Sequence, residues 1–224
     1  MILAIETSTP VCSVAVGRHN RVLAEKRIEG KGVHSERTFV FIKDLLDRFD
    51  TDVDQLDAVL FSHGPGSYTG LRIGAGAVKG LLFEKKTPLF TLPTLLGFAI
   101  SAIQPGSSSI HAVIDARRNH LYYQKIKHLA GKEIEVTQAK VAELQDIEKE
   151  IKKGDIVVGT GWDRLEVAYK ENVNWLGTEA VSAKNLIMGW YDPELKSFFE
   201  EKTPETFEPE YLSMSQVNNS SVKG

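Results

Sequence analysis

The stretch Ser62-His63-Gly64-Pro65-Gly66-Ser67-Tyr68-Thr69-Gly70-Leu71-Arg72 decides how the rest of the chain is read. An apolar run of strand length, Leu56-Asp57-Ala58-Val59-Leu60-Phe61, precedes it, and Ile73 to Phe83 follow with helical character. The stretch is a glycine-rich elbow between a buried strand and a helix N-terminus. Such an elbow offers unpaired N–H groups and the positive end of a helix dipole. Gly64, Pro65, Gly66, Ser67 and Thr69 are therefore a candidate nucleotide or anion loop. The spacing fits neither standard loop. Gly64, Gly66 and Gly70 give G-x-G-x-x-x-G, one residue off the dinucleotide fingerprint. Leu71-Arg72 stand where a Walker loop needs Lys and Ser/Thr. A tight turn at Gly64 and Gly66, with Ser67 or Thr69 capping the helix, accounts for the same residues.

The helix beyond the elbow carries Gly74, Gly76 and Gly80, with Gly70 at its start. Each interior glycine costs about 0.8–1 kcal/mol relative to Ala, so the three cost on the order of 2–3 kcal/mol. Close packing must offset that. Gly70 with Gly74, and Gly76 with Gly80, stand at i, i+4 and form two flat strips. One strip can face the chain's own sheet; the other can face a second helix or a second protein.

Composition narrows the class. The 224 residues are enough for one large domain or two small ones, and 42% hydrophobic with 25% charged residues is ordinary for a soluble globular protein. The single cysteine, Cys12, excludes an internal disulfide framework and points to a reducing compartment. Met1 to Glu6 lack a basic region and Glu6 interrupts the apolar run, so no signal peptide is expected. No apolar run approaches the ~20 residues that span a bilayer. The expected location is the cytoplasm. Net charge is −3: residues 1–104 hold 12 Lys/Arg against 11 Asp/Glu, and residues 105–224 hold 15 against 19. Neither half has the basic excess of a protein that grips nucleic acid unaided. Any RNA would be held chiefly by another chain.

In chain order, residues 2–28 read as a three-strand meander and 34–49 as a helix. Phe39, Ile42, Leu45, Leu46 and Phe49 form the core stripe of that helix; Val40 and Phe41 widen it, either as broader core or as a partner-facing surface. A strand at 57–62, the elbow helix, a strand at 87–92 and a helix at 93–103 complete β-β-β-α-β-α-β-α. Gln104 to Ser109 is the clearest composition break. The expected division is a first lobe at 1–104, a second at 105–213 with a Tyr211 anchor segment, and a frayed tail at 214–224. The second half reads as strands at 110–115, 121–126, 135–137 and 155–159, with a charged helix at 141–152. A second glycine turn at 159–162 precedes helices at about 163–170, 182–191 and, from Asp192-Pro193, to about Phe199. Both halves open with an apolar strand ending in an acid, Glu6 or Asp115, near a turn. That duplication suggests an α/β fold of the actin-like ATPase/sugar-kinase (ASKHA) type, two lobes with the second reduced, over a simple doubly wound sheet.

Together these residues resemble the TsaB (YeaZ) family. The resemblance rests on Ile2-Leu3-Ala4-Ile5-Glu6-Thr7-Ser8-Thr9, His34-Ser35-Glu36, the elbow through Gly74, Asp115-Ala116-Arg117, Gly159-Thr160-Gly161-Trp162 and Glu208-Pro209-Glu210-Tyr211-Leu212. It runs from residue 1 to about 213. It implies a non-catalytic scaffold for threonylcarbamoyl transfer to a tRNA adenosine, working as a heterodimer with a catalytic paralogue, TsaD. The small ATPase TsaE joins the complex, and tRNA is met through it. The paralogue carries an H-x-x-x-H metal pair on its first helix. Here the helix opens His34-Ser35-Glu36-Arg37-Thr38, and a lone His34 falls short of the three protein ligands usual in a catalytic site. No metal and no required cofactor are expected, and ATP or ADP would bind only weakly or in a site shared with the partner. The competing reading is an independent ATP-dependent kinase or metallopeptidase-like enzyme of the same fold.

No catalytic residue is assigned. Glu6, Asp115 and Arg117 are a candidate vestigial site; Asp115 with Arg117 reads equally as acid plus phosphate clamp or as a hairpin ion pair. Cys12 in an alternating strand reads as a buried hydrophobe. The expected partner interface is His34, Phe41, Leu45, Gly70, Arg72, Gly74, Ala77, Val78 and Leu81 on the two helices. Left alone, that face would be an apolar patch, so homodimerisation through it is expected. Leucine at Gly74 or Gly76 is expected to abolish pairing and leave the fold intact.

Overall fold

The computed structural model describes residues 1–104, 108–128 and 133–212. Part of the expected composition break (105–107) and the expected tail (214–224) lie outside the described residues. Alternating apolar residues give the N-terminal meander β1 (Ile2–Glu6), β2 (Val11–Arg18) and β3 (Arg21–Glu29), with Glu6 opposite Ser13. His19 and Asn20, both at positive φ, make the two-residue β2–β3 turn. Next come α1 (Val33–Arg48), β4 (Ala58–Ser62), α2 (Tyr68–Leu82), β5 (Leu89–Leu92) and α3 (Thr94–Ala99). The second half forms β6 (Ile110–Asp115), β7 (His120–His128), β8 (Ile134–Val136), β9 (Lys140–Glu143), α4 (Leu144–Glu150), β10 (Ile156–Gly159) and β11 (Asn174–Leu176). It ends with α5 (Lys184–Tyr191) and β12 (Glu200–Lys202).

The first sheet has the order β12-β5-β4-β1-β2-β3, and the second β11-β10-β6-β7-β8 with β9 also on β7. Each is built on an antiparallel hairpin whose first strand takes a parallel neighbour: β1/β2 with β4, and β6/β7 with β10. This repeated plan on two sheets is the actin-like ATPase/sugar-kinase architecture, its second lobe reduced. On one face of the first sheet, Ile42, Leu45 and Leu46 of α1 and Ala75, Val78 and Leu82 of α2 share a core with Leu3, Ile5 and Phe61. On the other face the core is continuous across both lobes. It joins Ile2, Ala4 and Leu60 to Ile110, Ala112 and Val158 through Leu95, Phe98, Leu186 and Ile187.

The structure departs from the expected elements at four places. The helix expected at 141–152 begins as a strand: Val141 and Ala142 pair with Tyr122 and Leu121, and the helix holds only from Leu144. The helix at 163–170 is replaced by 3-10 turns at Trp162–Arg164 and Lys170–Asn172. Asp192 caps only a turn, its Oδ1 accepting from Glu194 N at 2.8 Å and Leu195 N at 3.2 Å. Finally, α5 and β12 come from the second half but pack on or join the first sheet. The chain therefore crosses back between the lobes through residues 177–183.

Candidate functional site

Between the lobes lies a cleft of about 910 Å³. The β1–β2 turn, the elbow and the loop into α1 form one wall; the β6–β7 hairpin tip and residues 160–164 form the other.

The first wall is built from its own hydrogen bonds. Ser8 donates both its backbone N (2.6 Å) and its Oγ (2.5 Å) to one oxygen, Oε1, of Glu6. Glu6 is buried, and burial pushes its carboxyl above the ordinary value while the Ser8 bonds oppose that. At the elbow, Ser67 N donates to Ser8 O (2.6 Å), Gly64 N to Thr94 Oγ1 (3.0 Å) and Gly70 N to Ser67 Oγ (3.2 Å). Ser67 is thus the helix cap. A Cβ at Gly66 would overlap Ser8 O, and one at Gly70 would overlap Thr7 O. Carbonyl oxygens therefore crowd the elbow, and N–H groups an anion would use at Gly64, Ser67 and Gly70 are spent on the protein.

The outside of the elbow is strapped down. Gly64 sits at φ +126, and a Cβ there would overlap Glu210 O. Glu210 N donates to His63 O at 2.8 Å, and His63 Nε2 lies 3.4 Å from Glu210 Oε2. That hydrogen bond holds the Glu210 carboxyl below its ordinary range. Phe207 meets Phe61 edge-on at 5.8 Å, and Tyr211 leans on Tyr68 at 5.0 Å between ring centroids.

On the second wall, Asp115 pairs with Arg164, not with Arg117. Arg117 supplies only its backbone N, 2.8 Å from Asp115 Oδ1. The hairpin ion pair read from sequence is replaced because the 162–164 turn brings Arg164 under the strand end. Gly66, Ser67, Thr69, Asp115 and Arg117 share the cleft, whereas Glu6 lies beneath its wall. Pro65 is buried.

The first helix carries no metal pair. His34 is buried, its Nε2 3.2 Å from Val11 O, and Thr38 donates its hydroxyl back to His34 O at 2.7 Å. Cys12 Sγ lies 3.4 Å from Thr38 Oγ1, and burial pushes its thiol up. Among the described residues no group of three or more His, Cys, Asp or Glu is placed to hold a metal.

The helix faces sort differently from the sequence reading. Leu45, Gly70, Gly74, Ala77 and Val78, expected at a partner interface, are buried within this chain, as is His34. A Cβ at Gly74 would overlap Thr7 Oγ1 and stand 2.6 Å from the Phe61 ring. Gly74 is therefore a packing glycine, and leucine there would break the fold, contrary to expectation. Gly76 and Gly80 face open space. Of the expected interface residues, Arg72 is exposed and Phe41 and Leu81 are half-buried. Phe39, assigned to the core stripe, is 53% exposed; Val40 (43%), Tyr68 (57%) and Phe83 (63%) are also outward. Helical phase carried this signal for Val40, which falls opposite the stripe set by buried Thr38, Ile42, Leu45 and Leu46; Phe39 borders that stripe, and Phe83 stands just beyond the end of α2.

The fold and this cleft define a two-lobed actin-like protein. A family profile described as TsaD, tRNA N6-adenosine threonylcarbamoyltransferase, matches residues 21–186. The chain is 32% identical over 177 residues to the tRNA threonylcarbamoyladenosine biosynthesis protein TsaB of Escherichia coli, covering 76% of each. It is 34% identical over 131 residues to TsaB of Haemophilus influenzae, covering 56% of this chain and about half (53%) of that one. Among solved structures, YeaZ from Pseudomonas aeruginosa superposes with a TM-score of 0.73 at 27% identity, covering 94% of this chain and 99% of that one. The chain belongs to the TsaB (YeaZ) family, a branch of the TsaD-like proteins. No described helix is long and apolar enough to cross a membrane.

Proposed function

We propose that this chain is a non-catalytic activating subunit for threonylcarbamoyl transfer to a tRNA adenosine, acting in the cytoplasm as a heterodimer with a TsaD-like paralogue. The observation that carries the reading is the outer face of α1 and α2. Phe39, Val40 and Phe83 stand exposed there, and Gly76 and Gly80 leave room for another backbone. A helix glycine that faces open space keeps its cost of about 0.8–1 kcal/mol in the isolated chain, which a close-packed partner helix offsets. The partner buries the aromatic residues and gains the flat strip. Alone, two copies pair through the same face. A TsaE-like ATPase and the tRNA join through the complex.

The chemistry of the cleft supports a scaffold. Gly64, Ser67 and Gly70 of the elbow donate to their own chain, Asp115 is paired with Arg164, and Thr38 occupies the second metal-ligand position. No nucleotide or metal is required of this chain. The test is tRNA threonylcarbamoylation with purified TsaD, TsaE and a threonylcarbamoyl-adenylate source, with and without this chain. Modification should require it and survive Glu6→Gln and Asp115→Asn. Modification indifferent to its presence refutes the activator role; loss with either conservative variant assigns it chemistry.

A further inference from the structure

The return crossing between the lobes, residues 177–183, is fastened along its length. We propose that it is a latched hinge, held by Arg27 and Glu25 of β3, which fixes the cleft at one width so that the lobes do not close on a ligand. A closing hinge needs a few residues free to change φ and ψ. This crossing is bonded to the edge strand of the other lobe instead. Arg27 donates Nε to Val181 O (3.0 Å) and Nη2 to Thr178 O (2.8 Å). Thr178 Oγ1 donates to Glu29 Oε2 (2.9 Å). Glu25 Oε1 accepts from Ser182 Oγ (2.5 Å) and Ser13 Oγ (2.7 Å), while Ser13 Oγ in turn accepts from Ala183 N (2.8 Å).

Packing reinforces the bonds. Val181 and Ala183 are fully buried in the core that both lobes share, so rotation would have to shear that core. The one glycine of the crossing, Gly177, is wedged: a Cβ there would stand 2.6 Å from Trp162 Nε1. At its far end, α5 lies so close to β2 that a Cβ on Gly17 would stand 2.6 Å from Ile187. Glu29 and Thr178 are also residues of the cleft rim, so the latch sets the spacing of the walls directly.

The test uses the full chain with spin labels on cysteines at Lys31→Cys and Asp163→Cys, exposed positions on opposite cleft walls. The native Cys12 is buried. Electron–electron double resonance should give one narrow distance distribution, unchanged by millimolar Mg²⁺–ATP. Arg27→Ala should broaden it and speed exchange of the Ala183 amide by about tenfold or more. Arg27→Lys keeps the charge but not the two-carbonyl fork, so it should loosen the latch in the same direction if Arg27→Ala does not fold. Glu25→Gln, which keeps the Oε1 acceptor, should behave as wild type. A wild-type distribution that is bimodal, or that shifts with Mg²⁺–ATP, overturns the proposal. So does a folded Arg27 variant with wild-type width and exchange.

Discussion

Gly74 and Gly76 stand two residues apart in α2 and answer to opposite surroundings. Around Gly74, Thr7 and the Phe61 ring leave no space for a β-carbon; around Gly76 there is nothing within 4 Å. Gly70 shares the crowding and Gly80 the openness. The inward pair lets the helix settle on the β1 end and explains itself within one chain. The outward pair gains nothing from this chain and keeps its propensity cost, which the proposed partner helix would offset. One helix thus carries a buried folding face and an open face, the latter being the assembly surface of the proposed function, and the two are separated only by helical phase.

The largest expected effect breaks the inward side. Gly74→Leu forces a side chain into Phe61 and Thr7 and should destabilise the chain by about 3 kcal/mol or more, read as loss of the cooperative melt in circular dichroism. Gly76→Leu is the counterpart. It should raise monomer stability by somewhat less than the ~0.8–1 kcal/mol that separates Gly from Ala in helix propensity, yet remove association on a sizing column. If Gly76→Leu unfolds the chain, or Gly74→Leu folds normally, the division of the helix is wrong.

A third variant separates the faces by pH. Burial holds the Glu6 carboxyl above its ordinary value of 4.5, so the native state keeps that proton longer than the unfolded chain. Stability therefore falls as pH rises from about 4.5 through the raised native value, because the native state binds more protons across that window. Gln in place of Glu6 retains Oε1 for both Ser8 bonds and removes that fall. Denaturant melts should show Glu6→Gln gaining on wild type as pH rises, with pairing through the Gly76 face unchanged. The smallest effect concerns the exposed Lys79–Glu208 pair over the elbow strap. Lys79→Ala should leave the melting temperature unresolved from wild type, since exposed ion pairs contribute little.

Much of this was legible in the sequence because local pattern and tertiary role coincide there. The β1–β2–β3 meander, the elbow and the acid-ended strands Glu6 and Asp115 are consecutive signals, and the structure places them as read. The two glycine strips were legible, but their facing was not. Whether Gly74 or Gly76 points inward depends on where Phe61 and Thr7 come to rest, some distance away in sequence. The same limit hid the partner of Asp115. Arg164 is 49 residues on, whereas Arg117 is the neighbour that spacing offers. Phe39 misled for a related reason: its i, i+3 spacing to Ile42 looks like core, but the sheet takes the neighbouring phase. Glycine spacing alone could not show that Gly66 and Gly70 stand against the carbonyl oxygens of Ser8 and Thr7.

The most direct test of the central claim is reconstituted tRNA threonylcarbamoylation with the TsaD-like paralogue, comparing wild type, Gly76→Leu and no added chain. The wild type should support transfer, while Gly76→Leu, folded and at least as stable, should leave only the rate seen without the chain. Full transfer with Gly76→Leu would contradict the account, because the open strip would then have no part in activation.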